Sequence, residues 1–145
     1  MRFFNVFLLL AIFFIASCDQ PKPEEAKIFD QKMTETIAIH DEVMPEMTKL
    51  TSLIQKLEAK KDSTNVETVQ PVIRDLKQGH DMMMEWMKDF GDEFSKTEIN
   101  EGIQLSNIDS LKARLDALSK SKTAAEKMRD KIVSSMEKAE TLLNQ

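Results

Sequence analysis

From about residue 27 to residue 143 the apolar side chains recur three and four positions apart, and no stretch alternates in twos. That spacing draws one apolar stripe along an α-helix and cannot make a half-buried strand, so the chain is expected to be all-α. Only three glycines, at 79, 91 and 102, punctuate its 145 residues.

Three seams follow from the period. The first helix, about 27–60, carries Met33, Thr36, His40, Val43, Met47, Leu50, Ile54 and Leu57, the a/d spacing of a bundle or coiled coil. Pro45 lacks an N–H and crowds the carbonyl four residues back, so a kink is expected near Asp41–Pro45. Lys60–Asn65 forms a turn. The second helix, about 67–90, carries Val69, Ile73, Leu76, His80, Met83, Met87 and Phe90, with Pro71 expected in its first turn and Gly91 as its C-cap. Residues 92–105 are weakly periodic. Ser106 and Asp109 suggest a capping box for the third helix, about 106–143. Its seam is Ile108, Leu111, Leu115, Leu118, Lys122, Ala125, Arg129, Ile132, Met136, Ala139 and Leu143. Two charges and two alanines weaken that seam, which suits an edge position. The expectation is an antiparallel up-down-up three-helix bundle over residues 28–145, coiled-coil-like, with a slim aliphatic core. Past residue 20 the aromatics are only Phe29, Trp86, Phe90 and Phe94, so an enclosed large pocket is not expected.

The first 17 residues follow another rule. Met1-Arg2 is a short basic start, Phe3–Ile15 is apolar, and Ala16-Ser17-Cys18 supplies small residues before a thiol. That is the three-part layout of a secretory signal, and Ile15-Ala16-Ser17-Cys18 resembles a bacterial lipobox. A membrane span needs roughly 20 apolar residues and only about 13 precede Ala16. Residues 1–17 are therefore expected to be a cleaved lipoprotein signal peptide and Cys18 the lipidated first residue of the mature protein. Residues 18–27, polar with Pro21 and Pro23, read as a flexible tether. The expected place is the cell envelope, anchored to the inner or outer membrane, periplasmic or surface-exposed.

Charge and cysteine usage exclude several functions. The formal net charge is −5, and the Lys and Arg residues are dispersed, so nucleic acid is not an expected partner. Cys18 is the only cysteine, which removes disulfides, thiolate metal sites and cysteine nucleophiles. There is no Gly-rich phosphate loop, and no Glu-x-x-His pair of the kind a di-iron bundle needs. No catalytic residues are assigned, and the protein is not expected to be an enzyme.

One local repeat carries chemistry. His40-Asp-Glu-Val-Met44-Pro-Glu-Met47 and His80-Asp-Met-Met-Met84-Glu-Trp-Met87 both read His-Asp-x-x-Met-x-x-Met. Positions i, i+4 and i+7 fall within roughly a 60° arc of one helix face, so each segment aims an imidazole and two thioethers one way. If Leu57 faces Val69 across the turn, facing residue numbers sum to about 126 in an antiparallel pair, which sets His40 opposite Trp86 and Met87. His40, Met44, Met47, His80, Met83 and Met87 are then candidate ligands of a soft metal, Cu(I) or Ag(I). Trp86 could cover the metal by a cation–π contact. The plainer reading is core packing, since methionine fills imperfect helix contacts. Met82 points off the seam by its phase, which suits a methionine-rich surface for a partner helix.

The first of these motifs, with Met83-Met-Glu-Trp-Met, Phe90 and the long charged C-terminal helix, resembles a group of small lipoproteins from Bacteroidota. These often carry the automatic label "viral A-type inclusion protein". The resemblance spans most of the chain after Cys18 and implies coiled-coil character, with no particular activity or cofactor. The first histidine motif belongs to that pattern more clearly than His80 does. The expected function is that of an envelope lipoprotein whose helical bundle acts through protein contacts or as a structural accessory. Its alternative is a periplasmic Cu(I)/Ag(I)-binding protein.

Overall fold

The structure, a computed structural model, describes residues 21–144. The expected signal peptide and Cys18 lie outside those residues. Among the described residues the fold is all-α, without strands. Helix α1 is Glu24–Val43, a 3-10 turn covers Met44–Glu46, and α2 is Met47–Lys60. Helix α3 is Val66–Glu93, α4 is Lys96–Asn100 and α5 is Ile108–Leu143. No helix among the described residues is long and apolar enough to cross a membrane.

Local chemistry sets these limits. Glu24 and Glu25 occupy the first turn of α1, where carboxylates meet the positive end of the helix dipole. Pro45 sits at the start of the 3-10 turn, so the first expected helix is broken into α1 and α2 at the place its proline requires. At the following turn the Asp62 carboxylate accepts from Thr64 N, Thr64 Oγ1 and Asn65 N. The Asn65 amide caps the Lys60 carbonyl at 2.8 Å.

Four local expectations are corrected. Pro71 lies in the second turn of α3, inside the helix and exposed, so the Glu67 carbonyl loses its backbone donor. Gly91 is not a cap: α3 runs through it to Glu93, and Phe94 turns the chain. The capping box belongs to Ser95 and Glu98 at α4, while α5 is capped by Asn107, which accepts from Ser110 N at 2.9 Å. Helix α5 is also no edge. It packs on α1, α2 and α3, and its small Ala125 and Ala139 are fully buried because they let neighbouring helices approach.

Cross-helix contacts give the directions. Lys32 meets Ser119, Glu35 meets Lys122 and Lys49 meets Glu140, so α1 and α2 run alongside α5 in the same sense. Asp75 meets Lys131, Trp86 meets Ser121 and Glu93 meets Arg114, so α3 runs against α5. One apolar core extends from Ala26 to Ala139. The first seam is buried much as its spacing demands, with Phe29, Ile39 and Leu53 added. The backbones of α1 and α3 scarcely approach each other, and rings fill the gap.

Candidate functional site

Those rings form a continuous ladder. Phe29 packs on Phe94 (6.2 Å between centroids), Phe94 on Phe90 (5.0 Å), Phe90 on Trp86 (4.8 Å) and Trp86 on His40 (5.6 Å). Each such pair adds about 0.5–1.5 kcal/mol beyond the area it buries. Trp86 Nε1 donates to the Ser121 carbonyl at 3.0 Å, so the indole is fixed from α5 as well.

His40 ends the ladder with one nitrogen satisfied and one not. Its Nδ1 lies 2.9 Å from Asp41 Oδ1, whereas Nε2 is buried and has no hydrogen-bond partner. A buried polar atom left unpaired costs about 1–3 kcal/mol. With the proton on Nδ1 and donated to Asp41, Nε2 holds a lone pair in a sheltered position. That is the carboxylate–imidazole arrangement that orients histidine ligands of metals.

The remaining candidate ligands are spread. Met83 is fully buried in the core, and Met47 and Met87 are half-buried against it. Met44, in the 3-10 turn, is 43 % exposed. His80 keeps 42 % of its side chain exposed beside Asp81. In α3 the buried row is Val69, Ile73, Leu76, Gly79, Met83, Trp86 and Phe90, so it passes through Gly79 and Trp86 where the even spacing suggested His80 and Met87. Ile132 explains the choice, since a Cβ at residue 79 would lie 3.2 Å from its side chain and 3.4 Å from its Cα, so the glycine lets α5 come close. Among the described residues no group of three or more His, Cys, Asp or Glu is arranged to hold a metal ion. A site here would be built on thioethers and one imidazole.

On the other side of Trp86, α3 and α5 leave an open groove of about 710 Å³. Met82, Trp86 and Met128 with Ala113, Ala117 and Ala124 form its floor, and the α3 wall carries Glu85, Asp89 and Glu93 on successive turns. The α5 wall carries Asp116, Lys120 and Lys127. Asp116 bonds Lys120 at 2.7 Å, and this hydrogen bond holds the Lys120 ammonium above its usual pKa. The off-seam phase of Met82 hinted at this surface; Ala113, Ala117 and Ala124 lie off the seam expected for this helix and gave no signal.

Arg114 was not visible as a key residue from the sequence. Its guanidinium reaches Glu93 Oε1 at 2.6 Å, the Glu93 carbonyl at 2.8 Å and Glu98 Oε1 at 2.9 Å, and stands 4.8 Å over the Phe94 ring. Partial burial pushes the Glu98 carboxyl up, but hydrogen bonds from Ser95 and Arg114 outweigh it and hold the pKa low. One side chain thereby ties α3, α4 and α5 together.

Comparison of the chain with protein-family models, with curated proteins and with solved structures finds no match.

Proposed function

We propose that this chain is a non-enzymatic lipoprotein of the cell envelope, anchored through Cys18. Its antiparallel up-down-up three-helix bundle would work by docking a helix of a partner protein between α3 and α5. The lipobox-like Ile15–Cys18 supports the anchor. The groove carries the docking reading: its floor is apolar, with Ala113, Ala117 and Ala124 along the α5 side, and its α3 wall is wholly acidic. Small residues let a helix axis come close, and carboxylates one turn apart select lysines or arginines along the facing flank. The expected occupant is therefore an amphipathic helix with a small or aliphatic face and a basic edge.

A photocrosslinker at Met82 in whole cells tests this. The crosslinked segment, mapped by mass spectrometry, should be helical and basic along one flank, and its capture should fall at least tenfold in a Glu85→Lys, Asp89→Lys variant. Capture of an acidic or non-helical segment, capture indifferent to charge reversal, or none across several growth conditions would sink the reading.

The orphaned Nε2 of His40 favours a second reading, soft-metal binding. The imidazole would supply a nitrogen and one or two of Met44, Met47, Met83 and Met87 the sulfur that Cu(I) and Ag(I) prefer, with His80 contributing nothing. Trp86, the only tryptophan, stacks on His40 and reports directly. Ag(I) titration of residues 19–145 should change Trp86 fluorescence with one-to-one saturation, persist in His80→Ala and vanish in His40→Ala. Unchanged fluorescence at micromolar Ag(I), or a response kept by His40→Ala, rules the site out.

A further inference from the structure

We infer that the bundle stands on the lipid surface by its tether end, with Leu105 and Ile108 resting in the headgroup region. The inference rests on the Cys18 anchor proposed above and adds an orientation to it.

The end in question is built from three segments. Lys22 is ion-paired with Asp30 of α1, and the other oxygen of that carboxylate accepts the Ile103 N–H at 2.9 Å. Gly102 next to it has φ +82°, and its missing Cβ leaves room for the Asp30 carboxylate, which would lie 2.6 Å from a side chain there. The entry of the chain, the start of α1 and the loop before α5 are therefore pinned together. The tether expected over residues 18–27 is thus shortened, since α1 already begins at Glu24 and Lys22 is held. Three peptide units between Cys18 and Pro21 span at most about 10 Å. An acylated Cys18 then leaves this end of the molecule no freedom to stand away from the bilayer.

The surface it presents fits that position. Seven large apolar side chains are exposed among the described residues: Ile28, Met44, Val66, Met84, Leu105, Ile108 and Val133. Leu105 and Ile108 lie at the tether end, against Val66 alone at the opposite turn. Leu105 and Ile108 are 41 % and 40 % exposed. Aliphatic side chains in this position partition into the boundary between headgroups and acyl chains. Charges nearby are mixed, with Lys96 and Lys112 against Glu101 and Asp109, so the contact depends on apolar burial and not on anionic lipid. Helix α5 has 36 residues, and at 1.5 Å per residue the Lys60–Asn65 turn points about 50 Å away from the membrane. Glu93 and Ala113 place one end of the α3/α5 groove just above the bilayer.

The test uses full-length protein processed in cells and reconstituted into phosphatidylcholine vesicles, with and without phosphatidylglycerol. An acylated Cys18 thiol does not react, so a fluorescent NBD label goes only to a cysteine introduced as Gln104→Cys or, as the distal control, Ser63→Cys. The label at position 104 should emit to the blue and be quenched by lipid-borne nitroxide at least threefold more than the label at 63, in both lipid mixtures. Adding Leu105→Glu and Ile108→Glu should abolish that difference. Equal quenching at 104 and 63 on an acylated chain overturns the orientation while the anchor stands. A difference that survives the two glutamates overturns the apolar contact, and one that needs phosphatidylglycerol overturns its apolar basis. A free Cys18 thiol in the mass spectrum overturns the anchor, and the orientation with it.

Discussion

Single side chains at the α3–α5 connection hold more of this protein than their number suggests. Arg114 binds two carboxylates and a main-chain carbonyl and stacks on Phe94, a use of the planar fork that lysine cannot repeat. Arg114→Ala is expected to lower unfolding stability by about 1–3 kcal/mol and Arg114→Lys to recover less than half, read from urea midpoints. Two glycines should respond in opposite directions. Gly91 is helical with nothing near its absent Cβ, so Gly91→Ala should stabilise by up to about 1 kcal/mol. Gly102→Ala meets both a positive φ and the Asp30 carboxylate, and should destabilise by more than about 1 kcal/mol. Sequence spacing could not separate these two positions. A glycine near a helix end is a cap or an interior residue according to whether the next turn finds packing, and Phe90 and Phe94 provide it here.

At the scale of helices, Pro71 withholds a hydrogen bond one turn inside α3 at an exposed position. Pro71→Ala is expected to raise stability by about 1–3 kcal/mol without moving the core, measurable by urea unfolding and unchanged Trp86 emission. Helices α3 and α5 are also joined by Asp75, which accepts from Lys131 at 2.6 Å and Lys138 at 3.3 Å. The Lys131 hydrogen bond, against partial burial, holds the Asp75 carboxyl below its ordinary value of 3.8. A carboxyl with a lower pKa folded than unfolded contributes stability above the unfolded value, and that contribution is lost as pH falls through the folded one. Urea midpoints should therefore drop between pH 6 and pH 3, and drop less in Asp75→Asn, which should be the weaker protein at pH 6. The periods of all three seams could be read directly, because burial on a helix face forces a three-four spacing. The offset of α3 by one residue at Gly79 and Trp86 could not, since it depends on how closely α5 approaches.

For the molecule as a whole, one apolar core runs the length of the helices and no second core exists among the described residues. Thermal unfolding of residues 19–145 is expected to be a single transition, with the far-ultraviolet dichroism and Trp86 fluorescence curves superimposed. Separate midpoints would mean that the half holding the aromatic ladder melts independently of α2. The groove, the ladder and the pinned tether end all lie toward that half, so the surfaces proposed to meet a partner and a membrane share one support.

The sequence by itself determined the all-α class, the helical period of the three segments and the break at Pro45, because these rest on local geometry: helical period, missing donors and the reach of the next few residues. It also brought His40 and Trp86 to facing positions, since an antiparallel pair around a short turn leaves little choice of register. The tertiary structure decided which flank of α3 is buried, that α5 is central, that Arg114 and Asp30 are tie points, and that His80 stays half in solvent. Those outcomes turn on the distance between helix axes, set jointly by side chains far apart in the chain, such as Gly79 against Ile132 and Phe29 against Phe94. No window of residues along one helix contains that distance.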